Sequence, residues 1–294
     1  MSRPKTVLDV VQLAAGHLKA AGVSTPRLDA EVLLGHVLGL ERIQLYVQHD
    51  RPLVPDELEA YRAATARRAR REPVAYITGR REFYSLSFAV DRRVLIPRPE
   101  TERLVEIALD LLRSRFPSEE RLLVADVGTG SGAIAVALAH SEPRARVVAT
   151  DASPEALQVA KFNVEQHGLS NRIELRRGDV YAPLRGERFH AIVSNPPYVK
   201  EADYPGLPPE VRDYEPKGAL VAGKDGLAVI RRLVAGAAGY LVPGGFLAFE
   251  IGWDQAEDVR VIAREAGLFC TRIVPDLAGK DRVAVVEAIA GGGG

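Results

Sequence analysis

Along residues 6–72 apolar side chains return every three to four positions, the period of a helix with one buried stripe. VLDVVQLAAGHLKAAG keeps that period and stops at Gly22. RLDAEVLLGHVLG opens behind Pro26 and stops at Gly39. PDELEAYRAATARRARRE has acids just after Pro55 and arginines at its far end, the charge order a helix dipole favours, and Pro73 closes it. Helices of this kind predict a small bundle over residues 1–72. REFYSLSFAVDRRVLIP instead alternates and is rich in aromatic and branched residues, so residues 73–97 read as a linker carrying a β-hairpin. RPETERLVEIALDLLRSRF is helical again.

From residue 121 strand and helix patterns alternate. Strands are predicted at 121–127, 146–150, 172–177, 189–194, 245–251, 269–274 and 282–289, with helices near 131–141, 154–167, 225–241 and 254–266. The alternation predicts an α/β domain over 98–290, a parallel sheet with helices on both faces. Ligands in such sheets bind outside the carboxyl ends of the strands, so the chemistry belongs at that edge. The run Gly291–Gly294 has no side chains to pack and reads as a flexible tail.

Composition adds limits. Of 294 residues 47% are hydrophobic, enough for a real core, and the formal net charge is zero, which gives no global pull toward nucleic acid or membrane. The only cysteine, Cys270, excludes an internal disulfide and points to a reducing, cytoplasmic setting. The N-terminus lacks the apolar core of a signal peptide, and no stretch is long and apolar enough to span a bilayer. Six scattered histidines without cysteine company predict no metal site. The basic run Arg67, Arg68, Arg70, Arg71 reads either as a solvated helix face or as a contact for a partner protein or ribosomal RNA.

The first predicted strand of this domain runs into ADVGTGSGA. Gly128, Gly130 and Gly132, with Thr129 and Ser131 between them, follow a strand and precede a helix. Glycines there let the backbone turn sharply and approach a ligand, and the helix N-terminus offers free N–H groups. Asp126 stands just before the loop. Asp151 ends the second strand, where a carboxylate can accept from both ribose hydroxyls, and Asp179 follows the third, where it can accept from an adenine amino group. Gly128-x-Gly130-x-x-Ala133 also satisfies a dinucleotide fingerprint, so the loop alone does not separate a nicotinamide cofactor from another adenosine cofactor.

The fourth predicted strand ends in SNPPY. A following proline keeps Asn195 extended, and Pro196 and Pro197 have no N–H. The local wall therefore offers acceptors only, the Asn195 side-chain oxygen and the Pro196 carbonyl, with Tyr198 adding an aromatic face. Two fixed acceptors suit a planar –NH2 group. If that nitrogen attacks a methyl carbon, positive charge grows on it and the acceptors bind the transition state more tightly than the ground state.

DVGTGSG followed by SNPPY resembles the S-adenosylmethionine-dependent methyltransferases that modify planar amino groups. LDAEVLLGHVLG, EPVAYITGRREFYSLSFAVDRRVLIPRPETE, LPPEVRDYEPKGAL and KDGLAVIRRL extend the resemblance, over nearly the whole chain, to the bacterial release-factor glutamine methyltransferase (PrmC/HemK) family. The resemblance implies a seven-stranded Rossmann-like methyltransferase domain behind a helical substrate-docking domain. It implies N5-methylation of the glutamine in the GGQ loop of bacterial class-one peptide chain release factors; the neutral charge and the lack of a recognisable nucleic-acid module predict no nucleic-acid substrate, and the lack of an apolar span predicts no membrane partner. Gly128 to Gly132 would cradle the methionine part of S-adenosylmethionine, with Asp126 near its amino group, Asp151 on the ribose, and Asp179 and Val180 flanking the adenine. Asn195, Pro196, Pro197 and Tyr198 would grip the glutamine amide. Some family members carry tryptophan at position 180, and valine removes a ring that could stack on adenine. IPRPETE, residues 96–102, is expected to cover the cofactor site with Arg98 near the substrate. A ribosomal-protein glutamine methyltransferase and an adenine N6-methyltransferase would share the NPPY chemistry, and a dinucleotide oxidoreductase would share only the glycines.

Overall fold

Residues 5–288 are described in a computed structural model of the chain, so the Gly291–Gly294 run lies outside them. They divide into two units, one built from the chain up to Arg80 together with Pro208–Tyr214, the other from Arg81–Leu207 and from Glu215 onward.

The first unit is helical. Thr6 opens α1 (Val7–Ala20) with a capping box: its hydroxyl accepts from the Asp9 N–H, and its own N–H donates to the Asp9 carboxylate. Helix α2 (Pro26–Leu38) begins on its proline and ends at Gly39 in the left-handed region. Short helices α3 (Arg42–Val47) and α5 (Val74–Thr78) flank α4 (Pro55–Ala69) and leave no visible period in the sequence. Val10, Leu18, Leu33, Leu34 and Tyr61 form the core of this unit. The basic run turns out to be mostly internal wiring. Arg67 pairs with Glu72 at 2.7 Å. Arg68 is buried between Asp29 at 2.7 Å and Glu210 at 3.0 Å, and Arg71 holds Glu210 at 2.7 Å. Glu210 lies on α9 (Pro209–Arg212), in the segment that returns to this unit.

The second unit opens with a hairpin, β1 (Arg80–Phe83) and β2 (Leu86–Ala89), turned at Tyr84 and Ser85, both at positive φ. Helix α6 (Glu102–Arg115) follows a 3-10 turn at Pro99–Thr101. Then come β3 (Leu122–Val127), α7 (Ala133–Ser141), β4 (Ala145–Asp151), α8 (Pro154–Gln166), β5 (Ile173–Arg177), β6 (Phe189–Ser194), α10 (Ala228–Tyr240), β7 (Leu241–Glu250), α11 (Ala256–Glu265), β8 (Leu268–Pro275) and β9 (Asp281–Ala288). The sheet order is β5-β4-β3-β6-β7-β9-β8. Six of the seven strands run in one direction, but β9 runs antiparallel to its neighbours β7 and β8, which corrects the all-parallel expectation. No helix lies between β8 and β9, so a short connection returns the chain in the opposite direction.

Central strands are apolar on both faces, and alternation sorts them into two layers. Leu122, Val124, Ala191 and Val193 pack with residues of α6 and α7. Ala125, Val127, Ile192 and Leu247 pack with residues of α10 and α11. Among the described residues no helix is long and apolar enough to cross a membrane.

Candidate active site

After β3 the chain builds outward through β4 to β5, then crosses back so that β6 lies on the other side of β3. That reversal makes the carboxyl ends of β3 and β6 the switch point, where a crevice opens. The two strands are in register with Asp126 beside Val193. One residue further on, the Ser194 hydroxyl donates to the Val127 carbonyl at 2.7 Å. The glycine loop and the NPPY loop therefore leave the sheet side by side. Between them lies a cleft of about 410 Å³, within the roughly 300–1,000 Å³ usual for small-molecule sites. Gly128, Thr129, Gly130, Ser131, Asp151, Asp179, Val180, Asn195, Pro196 and Pro197 all line it.

The glycine loop is tied down from behind. The N–H groups of Gly128 and Thr129 both donate to the Thr150 carbonyl, at 2.8 and 2.9 Å. Gly130 N–H donates to one Asp151 oxygen and Ser153 N–H to the other, each at 2.9 Å. Asn163, fully buried on α8, donates to the Ser131 carbonyl at 2.8 Å and exchanges two hydrogen bonds with the backbone of Ala89. Gly128 and Gly130 both have positive φ, and a Cβ on either would meet no protein atom within 4 Å. Their cleft face is bare backbone. Gly132 serves packing instead. A Cβ there would press on Ala160 at 3.3 Å, so the glycine allows α7 to approach α8 and does not line the cleft.

Asp126 is not a wall residue. It is wholly buried, accepts from the Thr129 hydroxyl at 2.6 Å and the Ala135 N–H at 3.1 Å, and holds the loop to the start of α7. Burial pushes its carboxyl up to about 7, and its other oxygen has no partner among the described residues. Asp179 lies at the rim, exposed, with its carboxylate paired to Arg232 at 2.6 Å. The arginine occupies one carboxylate oxygen, so an adenine amino group at this rim would meet the other. Val180, at φ 48°, holds a left-handed conformation that is costly for a branched residue, and it supplies an apolar patch of wall.

Tyr198 also departs from expectation. Its ring packs against the core layer of α10 and α11, not on the cleft wall. Its hydroxyl donates to Glu250 at 2.9 Å, which anchors the end of the NPPY turn to β7. Glu250 is 1% exposed and also accepts from the Thr101 hydroxyl at 2.6 Å. Burial raises its carboxyl, and those two hydroxyls oppose the shift. Thr101 in turn accepts from the Asn195 side-chain NH2 at 3.1 Å. Of IPRPETE, Pro97 and Thr101 line the cleft, whereas the Arg98 guanidinium is bound to buried Glu215 at 2.5 Å.

Thr101, Asn163 and Glu250 do not stand out in the sequence as site residues. Glu250 does leave a signal: an acid at the carboxyl end of an apolar strand, GFLAFEI, stands on the edge where ligands bind. An adenosine cofactor fits the residues present. Bare loop backbone faces open space, the α7 N-terminus stands behind it, and the Asp151 carboxylate keeps lone pairs at the rim after accepting two N–H groups.

Residues 9–79 match the PrmC N-terminal domain, and residues 101–205 match the methyltransferase small domain. The chain is 49% identical to the release factor glutamine methyltransferase of Moorella thermoacetica over 270 residues, covering 92% of this chain and 94% of that protein. It is 46% identical to the Geobacter sulfurreducens protein of the same name, covering 95% of each. Among solved structures, the hMettl16 catalytic domain in complex with MAT2A 3′UTR hairpin 6 superposes with a TM-score of 0.58 at 19% identity, covering 76% of this chain and 81% of that one, a likeness of fold. The chain is an S-adenosylmethionine-dependent methyltransferase and belongs to the release factor glutamine methyltransferase family.

Proposed function

We propose that this chain methylates, in the cytoplasm, the side-chain N5 of the glutamine in the GGQ loop of bacterial class-one peptide chain release factors. The observation that carries the reading is the shared cleft, with Gly128, Gly130 and Asp151 on one part of its wall and Asn195, Pro196 and Pro197 on another. In this reading the loop backbone of Gly128–Gly130 holds the amino-acid part of S-adenosylmethionine, Asp151 the ribose hydroxyls and Val180 one face of the adenine. The bound cofactor supplies a methyl group activated by a sulfonium.

The Asn195 oxygen and the Pro196 carbonyl accept the two N–H bonds of the glutamine amide and leave its out-of-plane lone pair directed at the methyl carbon. Neither Pro196 nor Pro197 has an N–H to compete for those acceptors. As the nitrogen takes up the methyl group it becomes positive, and the same two oxygens stabilise it more than they stabilise the neutral amide. An N-alkylated, N-protonated amide is strongly acidic, so its proton passes to water without a dedicated base. Three buried carboxylates near the cleft have other work: Asp126 braces the loop, Glu250 accepts from Thr101 and Tyr198, and Glu215 accepts from Arg98 and the Ile96 N–H.

The test is peptide mapping by mass spectrometry after incubation with S-adenosylmethionine and either a class-one release factor or ribosomal protein. One added methyl on the GGQ glutamine is expected. An unmodified release factor, or a methyl found on ribosomal protein instead, overturns the reading.

A further inference from the structure

A carboxamide has nearly the same shape at both ends. Turning it over about its last bond exchanges an acceptor for a pair of donors at almost no steric cost. For a residue that must receive an N–H, as the reading above requires of Asn195, the turn is fatal, because donor would face donor. Some neighbour has to break the symmetry.

We propose that Thr101 and Glu250 are positioning residues that fix the sense of the Asn195 carboxamide, with its NH2 turned to Thr101 and its oxygen left for the substrate amide. The proposal rests on Asn195 being the acceptor for that amide. Its basis is a count of protons along a chain of contacts. Thr101 has one hydroxyl proton and gives it to Glu250 at 2.6 Å. Toward Asn195 the threonine oxygen therefore has only lone pairs, and the contact there is a donation from the Asn195 NH2 at 3.1 Å. The second Glu250 oxygen receives the Tyr198 hydroxyl at 2.9 Å, and both donations are to the ionised acid, which they stabilise against its burial. Polarity runs outward from the buried acid: Glu250 accepts, Thr101 donates inward and accepts outward, and Asn195 must present nitrogen to Thr101. Thr101 is 3% exposed and Glu250 1%, so bulk water does not compete for the contact between the threonine hydroxyl and the acid. Thr101 and Glu250 come from the turn before α6 and from the end of β7, 149 residues apart, and meet because α6 packs on β6 and β7.

Four variants and one spectrum test this. Thr101→Val keeps the shape and removes the hydroxyl. Its kcat on release factor should fall at least about thirtyfold, with cofactor KM within about threefold of wild type. Thr101→Ser keeps the hydroxyl and should hold kcat within about threefold. Glu250→Ala frees the threonine proton and should lower kcat likewise; if that variant does not fold, the threonine pair decides. The chain has three asparagines, Asn163, Asn171 and Asn195, so selective 15N-asparagine labelling gives three side-chain NH2 pairs. Asn195→Ala identifies the Asn195 pair. In Thr101→Val that pair should shift while the Asn163 pair stays in place.

An unmoved Asn195 pair, a valine variant with wild-type kcat, a folded Glu250→Ala with wild-type kcat, or a serine variant as impaired as valine overturns the proposal. Asn195→Ala separates the two levels. If it is inactive while Thr101→Val is normal, only the positioning role falls. If Asn195→Ala itself turns over normally, the amide-acceptor reading falls and takes the positioning role with it.

Discussion

Gly226 lies directly against the carbonyl oxygen of Tyr198: a Cβ on it would stand 2.3 Å from that oxygen. Gly226 also has a φ of 75°, and the Gln255 side chain donates to the same carbonyl at 3.1 Å. The end of the NPPY turn is thus held by a contact that only glycine permits. Gly226→Ala must push that turn away, and a shift of about 1 Å at a catalytic group can cost on the order of a hundredfold in rate. The expected result is a kcat at least about tenfold lower with cofactor affinity within about threefold, checked by steady-state kinetics and calorimetry.

Asp151→Ala separates the other way. The carboxylate holds the N–H groups of Gly130 and Ser153 and, in the proposed site, the ribose hydroxyls. Charge-assisted hydrogen bonds contribute about 1.5–3 kcal/mol each, so cofactor affinity should weaken roughly ten- to a hundredfold. Release-factor affinity, measured without cofactor, should stay within about threefold. Ser153 still caps α8 through its own hydroxyl, which accepts from Ala156 N–H at 3.0 Å, so the fold should survive.

What the sequence disclosed and what it withheld divide along physical lines. The places of Gly128, Gly130, Asp151 and the Asn195–Pro197 run on the cleft wall are legible because each lies at the end of a predicted strand, and strand ends are readable from apolar runs. The Asp126 role was not legible, because a carboxylate before a glycine loop can face the ligand or the helix behind. Only the folded loop, with Thr129 and Ala135 donating to it, decides. Tyr198 reads in the sequence as an aromatic face beside the acceptors, yet its side chain packs against the core layer of α10 and α11. Partners far apart in sequence were out of reach altogether. Thr101 finds Glu250, and Arg68 finds Glu210 142 residues away, through topology that no local period encodes.

The Arg68 arrangement predicts a large stability effect from what reads as a surface basic run. Arg68 is 4% exposed, and its guanidinium meets Asp29 and Glu210 together with the Glu72 carbonyl. Removing one partner of a buried ion pair leaves uncompensated charge and costs about 3–5 kcal/mol. Arg68→Ala should therefore lower the unfolding midpoint of the helical unit sharply. Arg70→Ala, which truncates an exposed side chain of the same run, should cost less than about 1 kcal/mol. Thermal melts of both variants check the contrast, and equal losses would show that Arg68 is not the internal tie its geometry makes it.

Asp126 predicts a pH dependence with a definite sign. Its carboxyl titrates at about 7 in the folded protein because burial disfavours the anion, against about 3.9 in an unfolded chain. Between about pH 4 and 7 the unfolded chain has released this proton and the folded one retains it. The folded state binds more protons there, so this group's contribution to stability falls as pH rises through the window, by on the order of a few kcal/mol in all. Asparagine cannot ionise, and its side-chain oxygen can still accept from the Ala135 N–H. Asp126→Asn should therefore compare least well with wild type near pH 4 and gain on it steadily up to about pH 8. Chemical denaturation of both proteins across that range measures the difference directly. Two stability curves that stay parallel from pH 4 to 8 would mean that the carboxyl ionises without penalty, and that the loop strut carries its charge in contact with solvent.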